Sequence, residues 1–517
     1  MPADERTTVV MGAGPGGLAT AYWLAKHGVP VTVLERAPVV GGLARTVERD
    51  GFKFDIGGHR WFSKVDEVND FYNEVVGDES IWVRRISRIY FDGKYIDYPL
   101  SVGNALAAIG PRLAAQAMAD YARARVQQRL RPRPIRSMED AYVDQYGQTL
   151  YSLFFERYSE KVWGLPCAQM SGDWVSQRTK GMSLLTAVKD AIIPSKGAVQ
   201  SLIDSFMYPR YGYGRLSERM ADGVRATGNA VRLGTGVTEI RRQGNRITGV
   251  VVASDTGREE IIEGAQFVSS IPLTLLCQIM EPAAPPEVIA AARALTFRNV
   301  ITVNLMLDRE RMTDDTWLYV HDRDILFGRL HEPKNWSVDM VPDQSKTSVV
   351  AEYFCSYGDE IWNMSDEALV EQTARHLSDD LHFVSRREVI DGFVVRSPRA
   401  YPSYTLGYEA PLGLLKRFVD SFENLQIIGR YGTFRYNNAD HSVETGLLAA
   451  KNILGESHDL DRVNAEKEYH EIKRIAPQPV GVSRQAQVPQ AGTGPVPTPI
   501  VAPQAPATTS PDATATD

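Results

Sequence analysis

The sequence predicts an α/β fold: a parallel sheet of the dinucleotide-binding kind, a mainly helical region inserted after it, and a second, sheet-containing domain. Three observations predict this. The β-rich run Thr7-Thr8-Val9-Val10-Met11 leads through Gly12-Ala13-Gly14-Pro15-Gly16-Gly17 into Leu18 to His27, whose composition is helical. A second strand, Val31-Thr32-Val33-Leu34, ends in the carboxylate of Glu35, eighteen residues after Gly17. Far downstream, Phe267 to Pro272 and Leu425 to Gly429 read as strands returning to the first sheet.

Each element has a physical reason. Gly12 permits the tight turn, Gly14 lets a pyrophosphate approach the backbone, and Gly17, beside Gly16, allows helix and strand to pack closely. The helix N-terminus then faces the phosphates, and Glu35 accepts hydrogen bonds from ribose hydroxyls. Glu35-Arg36 runs on to Gly41-Gly42-Leu43-Ala44-Arg45-Thr46 and Phe54-Asp55-Ile56-Gly57-Gly58-His59. This stretch resembles the amine-oxidase-like superfamily of FAD proteins. The resemblance implies a Rossmann-like FAD-binding domain in which Gly42, Leu43 and Arg45 lie along the cofactor and Gly57-Gly58-His59 brings backbone against its isoalloxazine. Residues without side chains are needed there, because a Cβ would hold a flat ring system away. Val237, in the later β-type run from Val231 to Val252, is assigned to the same cofactor site.

After this opening, Asn104 to Arg129 reads as an alanine-rich helix carrying Arg123, Arg125 and Arg129, followed by Arg131-Pro132-Arg133-Pro134. It is read as a solvated face with a proline stop, the alternative being contact with an acidic membrane surface or partner. Helical and loop segments continue to about residue 200. Gln243-Gly244-Asn245 is a turn between β-type runs, and Val300 to Leu305 and Ser348 to Val350 are strand-like. The expected organisation is FAD-binding in 1–100, a mainly helical substrate region in 101–205, FAD-binding again in 206–272, a sheet-containing substrate domain in 273–400, the last FAD-binding part in 401–476, and a disordered Pro/Ala/Thr-rich tail in 477–517.

Composition excludes several classes. With 517 residues, 43% hydrophobic and 23% charged, the chain can bury a sizeable core. Its net charge of -7 gives no bulk attraction to nucleic acid. Cys167, Cys277 and Cys355 form no Cys-x-x-Cys, which argues against disulfide-reductase chemistry and zinc ribbons, and no metal-ligating pattern is found. No signal peptide or membrane-spanning run is read, so a cytoplasmic location is expected.

The closing motif is Gly429-Arg430-Tyr431-Gly432, followed by Tyr436-Asn437-Asn438-Ala439-Asp440-His441-Ser442. The helix read from Val443 to Leu454 would be capped by Asp440 or Ser442, with its positive end toward the flavin's pyrimidine edge. Three consecutive residues cannot line up as a hydrolytic triad, so Asp440, His441 and Ser442 are assigned to the cofactor with Gly429 and Arg430.

This motif resembles the UDP-galactopyranose mutases, the eukaryotic type more than the bacterial, over nearly the whole ordered chain. Gly57-Gly58-His59-Arg60-Trp61-Phe62-Ser63 is similar to that family's histidine loop, which implies His59 against the flavin and Phe62 beside the nucleotide. Tyr98-Pro99 resembles a nucleotide-pocket element. Lys161-Val162-Trp163 and Arg178 have the family's spacing of tryptophan and substrate-binding arginine. Trp317-Leu318-Tyr319 with Arg329 resembles its mobile-flap region and diphosphate-binding arginine, and Tyr401 matches the tyrosine that also reaches the diphosphate. Arg178, Arg329 and Arg430 with Tyr319, Tyr401 and Tyr436 would clamp a diphosphate, and Asn438 would line the substrate. Ser101, Leu100 and Ser159 depart from the family pattern, and no asparagine is found around Phe206 to Pro209, so the substrate need not be UDP-galactose.

The resemblance implies interconversion of pyranose and furanose sugars through an N5 adduct of reduced FAD, with NAD(P)H as a candidate reductant. Arg178 and Arg329 would be catalytic through the leaving group, and His59 would tune the flavin without acting as the main base. The alternative is a true FAD oxidoreductase of the amine oxidase or desaturase type, which shares the N-terminal motifs.

Overall fold

Strands Leu425–Ile427, Gln266–Ser269, Thr8–Met11, Val31–Leu34 and Ala230–Arg232 lie side by side in that order, all parallel. The computed structural model describes residues 7–98, 102–131, 133–175, 205–254, 257 and 259–465; Arg178, Pro99 to Ser101 and the tail from 477 lie outside them. Every residue of Thr8–Met11 is buried, as a parallel strand covered on both faces requires. The chain thus brings three distant segments into one sheet.

Helix Pro15–Lys26 follows the first strand, and helix Ala439–Ile453 crosses it at minimal separation. A Cβ on Gly446 would lie 2.2 Å from the Gly16 carbonyl oxygen, and one on Gly16 2.8 Å from that of Ser442. Thr20 Oγ1 donates to Gly446 O at 2.9 Å. Both helix N-termini therefore converge beyond the carboxyl ends of the strands, where such sheets bind ligands. A four-stranded sheet, Glu259–Glu263, Arg246–Ser254, Thr235–Gln243 and Met280–Glu281, packs on this core through Ile240, Val250, Val252 and Phe267.

The second large sheet has the order Val389–Pro402, Phe297–Leu307, Thr347–Cys355, Arg329–His331, Trp317–Val320, Ser87–Phe91, Lys94–Asp97. Two readings change here. Residues 87–97, placed by sequence in the first FAD-binding segment, belong to this sheet, because Ile89, Phe91 and Ile96 bury against Met138, Tyr142 and Phe154 of the helical region. Trp317–Val320 is no flap but an internal strand paired on both edges, with Leu318 and Val320 fully buried.

The alanine-rich helix runs Val102–Leu130 and breaks at Gly110, whose φ of 79° precedes Pro111. The following helix, Met138–Tyr146, starts from a Ser137–Asp140 capping box. A short helix, Arg157–Trp163, then meets the second sheet through Tyr158, Lys161, Val162 and Trp163.

Candidate active site

The glycine turn forms a cradle. Gly12 has φ 102°, and a Cβ on Gly17 would lie 2.0 Å from the Gly12 carbonyl oxygen, so strand and helix meet only because that atom is absent. At Gly14 a Cβ would meet nothing within 4 Å, and across the gap a Cβ on Gly42 would lie 3.7 Å from Gly14 Cα. That open space, at the amino end of helix Pro15–Lys26, fits a pyrophosphate. Glu35 lies at the same end, its carboxylate accepting from Ala13 N and Ala37 N at 2.8 Å each. Arg36 lies against Gly236, and Val237 packs against the buried cluster that contains Val9, Met11 and Leu34. Arg45 Nη1 donates to Gly42 O at 2.8 Å. These residues fit FAD.

The Gly57-Gly58-His59 turn is held by groups distant in sequence. Asp55, buried before it, accepts from Thr46 Oγ1 and the Tyr208 hydroxyl at 2.6 Å and from Tyr213 N at 3.0 Å. Burial raises its carboxyl to about 6, against these hydrogen bonds. Gly57 has φ 81°, and Gly58 N donates to Glu352 Oε1 at 3.3 Å. His59 Nδ1 contacts Gly57 O at 3.0 Å. Burial, helped by the nearby Arg430 cation, lowers its imidazole to about 4, so it is neutral at pH 7.

Beyond His59, five of the six residues expected to clamp a diphosphate lie near one another, Tyr319, Arg329, Tyr401, Arg430 and Tyr436, while the sixth, Arg178, falls outside the described residues. Arg329 Nη2 donates to Glu352 Oε2 at 2.5 Å and to the Tyr401 hydroxyl at 3.0 Å. Arg430 is anchored through Nε to Asn437 O at 2.7 Å and Nη1 to Ala400 O at 3.2 Å, and its guanidinium lies 5.1 Å from the Tyr401 ring and 4.9 Å from that of Tyr436. Those two rings stack at 5.2 Å. Trp163 meets Tyr401 edge-on at 6.4 Å, and Leu43 packs, as Tyr401 does, against the buried cluster of Val300, Phe354 and Ala400. Tyr319 contacts Tyr98 at 5.0 Å, extending the aromatic wall. Trp317 stands farther along its strand, against Arg85 and Trp336.

Two predicted positions serve other ends. Trp61 turns inward, hydrogen-bonded to Asn69 at 3.1 Å, so its neighbour Phe62 points the other way and lines a cavity with Asp440, His441 and Glu444. Phe62, expected beside the nucleotide, thus shares a cavity with two residues expected at the cofactor. The closing helix begins at Ala439, earlier than read, and Asn438 rather than Asp440 or Ser442 is its N-cap: Asn438 O accepts from Ser442 N at 3.0 Å and Ser442 Oγ at 2.9 Å, and Asn438 N donates to His441 Nδ1 at 3.2 Å.

Sequence reasoning missed Glu352. It is 2% exposed, pairs across strands with Arg329 and supports Gly58. Two arginines and this carboxylate leave the cluster one net positive charge. Tyr158, facing Tyr319 at 5.8 Å, and Trp174, edge-on to Tyr436 at 4.6 Å, were also missed. Lys161 has an unforeseen part: its Nζ lies within hydrogen-bonding distance of Val320 O, Asp322 O, Ile325 O and Phe327 O, at 3.0, 2.5, 2.7 and 3.2 Å, and its three N–H groups, shared among them, fix the turn between Tyr319 and Arg329.

Comparisons with known proteins agree on the fold and diverge on chemistry. A model described as flavin containing amine oxidoreductase matches residues 15–454. The chain is 29% identical over 266 residues to phytoene dehydrogenase of Streptomyces griseus, covering 48% of this chain and 52% of that one. It is 42% identical over 67 residues to prolycopene isomerase 1, chloroplastic, of an Oncidium hybrid cultivar, covering 13% and 11%. The matches thus span about half or less of these curated relatives. Among solved structures, reduced UDP-galactopyranose mutase superposes with a TM-score of 0.76 at 20% identity, covering 89% of this chain and 96% of that one. Putrescine oxidase bound to putrescine gives 0.59 at 19% identity, covering 87% and 99%.

Proposed function

The chain belongs to the flavin-containing amine oxidoreductase family, and from that premise we propose that it is a FAD-dependent mutase that interconverts pyranose and furanose forms of a nucleotide sugar. The observation that carries this reading is the convergence of Arg329 and Arg430 on Tyr401 beside the His59 turn. Neither a polyene nor an amine calls for two guanidinium groups at that place, whereas a diphosphate leaving group does.

Reduced FAD supplies an electron-rich nucleophile, and the isomerisation leaves its oxidation state unchanged over a cycle. The chain's own residues bind and orient. Arg430, fixed through Nε and Nη1, presents Nη2 to a phosphate oxygen. Arg329 Nε is buried without a protein partner and is a second donor for the same anion. Burial raises Tyr401 to about 12, so its hydroxyl accepts from Arg329 and keeps its proton for the ligand. Trp163, Trp174 and Tyr436 exclude water, which strengthens each charge-assisted bond. His59, neutral and tied to Gly57 O, shapes the backbone against the flavin and carries no proton transfer.

A second reading, an oxidoreductase of the desaturase type, draws on the similarity to phytoene dehydrogenase and on Glu352, which already neutralises Arg329. Calorimetric titration of FAD-loaded protein with UDP separates the two. The mutase reading expects saturable binding that weakens roughly 10- to 100-fold in Arg430→Gln, the worth of a charge-assisted hydrogen bond. Absence of binding by the parent protein to UDP and, titrated in the same way, to the other nucleoside diphosphates would move the assignment to the oxidoreductase.

A further inference from the structure

We propose that the outward side of helix 111–130, with Arg131 and residues 133–136 that follow, is a docking surface for an anionic phospholipid bilayer. The charge distribution is the first observation. The whole chain is net -7, yet residues 111–136 hold seven arginines and one acid, Asp120. Asp120 is taken up by a hydrogen bond from Thr149 Oγ1.

Exposure is the second. Ala117 and Tyr121 face the protein, 0% and 3% exposed. On the opposite side Arg112, Ala115, Ala119, Arg123, Val126 and Leu130 recur at helical spacing, all exposed. Val126 is 57% exposed and Leu130 75%, with Ile135 at 48% just beyond. Only Arg125 turns inward, over the Tyr121 ring at 5.3 Å and 3.8 Å from Asp144. Among the described residues no carboxylate pairs with Arg112, Arg123, Arg129, Arg131 or Arg133.

A helix face that serves only solvation carries both signs of charge and few large apolar groups. This one carries cations, alanines and branched apolar side chains and no acid. Burying Val126 and Leu130 below lipid headgroups and setting the arginines on the phosphates satisfies both features together. The arginine stems are long enough for the guanidinium groups to stay at the headgroup level while the apolar ridge sinks. No described helix is long and apolar enough to cross a membrane, so the association is with the surface.

The test uses the full, FAD-loaded chain and sedimentation with vesicles of pure phosphatidylglycerol or pure phosphatidylcholine. Binding to phosphatidylglycerol alone is expected, weakening as salt rises. Combining Arg123→Glu, Arg129→Glu and Arg131→Glu should reduce it by at least about 100-fold, at roughly fivefold for each cation lost. Flavin absorbance of this variant, which lies outside the candidate site, should match the parent. In Val126→Trp the tryptophan emission gained over the parent should shift to the blue on adding phosphatidylglycerol vesicles. No sedimentation with phosphatidylglycerol at low salt, sedimentation unchanged in the triple variant, or binding without the blue shift would each overturn the proposal, the last by reducing the patch to a general polyanion surface.

Discussion

Replacing Glu352 by glutamine should lower stability and tighten nucleotide binding at once, a pairing of opposite effects that few other residues would give. Glu352 is buried at 2% exposure, with Arg329 Nη2 at 2.5 Å and Gly58 N at 3.3 Å. Glutamine keeps the volume and an acceptor for Gly58 but leaves the Arg329 cation without its counter-charge. Breaking one side of a buried pair costs about 3–5 kcal/mol. For a chain of this size that is roughly 3–5 °C in melting temperature. For an anionic ligand the sign reverses. Two charges about 6 Å apart at an effective dielectric of about 20 interact by nearly 3 kcal/mol, and losing half of that repulsion to screening still leaves about tenfold in affinity. Urea unfolding with and without UDP, together with calorimetry, reads both quantities. A stability loss below about 1 kcal/mol, or UDP affinity that falls together with stability, would refute the reasoning that Glu352 opposes the ligand and holds Arg329 ready for it.

Three further predictions follow from the same geometry. Gly14→Val should fold with stability within about 1 kcal/mol of the parent, because its Cβ meets no protein atom, yet retain little FAD after reconstitution and desalting; full flavin content would contradict the cradle. Burial lowers His331 to about 3, with Arg329 adding to it, so the folded state binds fewer protons than the unfolded below pH 6.5, and this residue's contribution to stability is lost as pH falls toward 3. Asp55, raised to about 6 by burial, has the opposite sign and loses its contribution as pH rises through 6. His331→Gln should therefore gain on the parent by about 1.4 kcal/mol per pH unit below 6.5 in unfolding titrations, and parallel curves would dismiss the linkage. Lys161→Met frees four carbonyls of the turn before Arg329 and should weaken UDP binding about tenfold or more with FAD content unchanged; unaltered UDP affinity would show that the turn does not position the arginine.

The parallel sheet was legible because its grammar is local. A strand, glycines at fixed intervals, a helix and an acid after the next strand all fall between Thr8 and Glu35. The grouping of Arg329, Tyr401 and Arg430 was foreseen only through family resemblance, since no periodicity joins these residues across a hundred positions. Glu352 escaped because it lies in Thr347–Cys355, a strand buried along its whole length that reads as core. Its signal was present as a single carboxylate in an apolar run, which must find a buried cation. The strand at Trp317–Val320 was taken for a flap because its partner, Ser87–Phe91, lies some 230 residues earlier, a pairing that short alternation cannot specify. The closing helix was begun four residues late because Ala439-Asp440-His441-Ser442 looks like a polar loop, whereas Asn438 caps the chain ahead of it.

The central claim is that this flavin site rearranges a sugar without net redox change. FAD-loaded protein, reduced with dithionite under anaerobic conditions, would be incubated with a panel of nucleotide sugars including UDP-galactopyranose and UDP-galactofuranose, and the products separated by chromatography. The account predicts pyranose–furanose interconversion of at least one of them that requires reduced flavin and consumes no stoichiometric reductant. No interconversion of any of them, with the oxidised flavin bleached instead by a polyene or an amine, would contradict it.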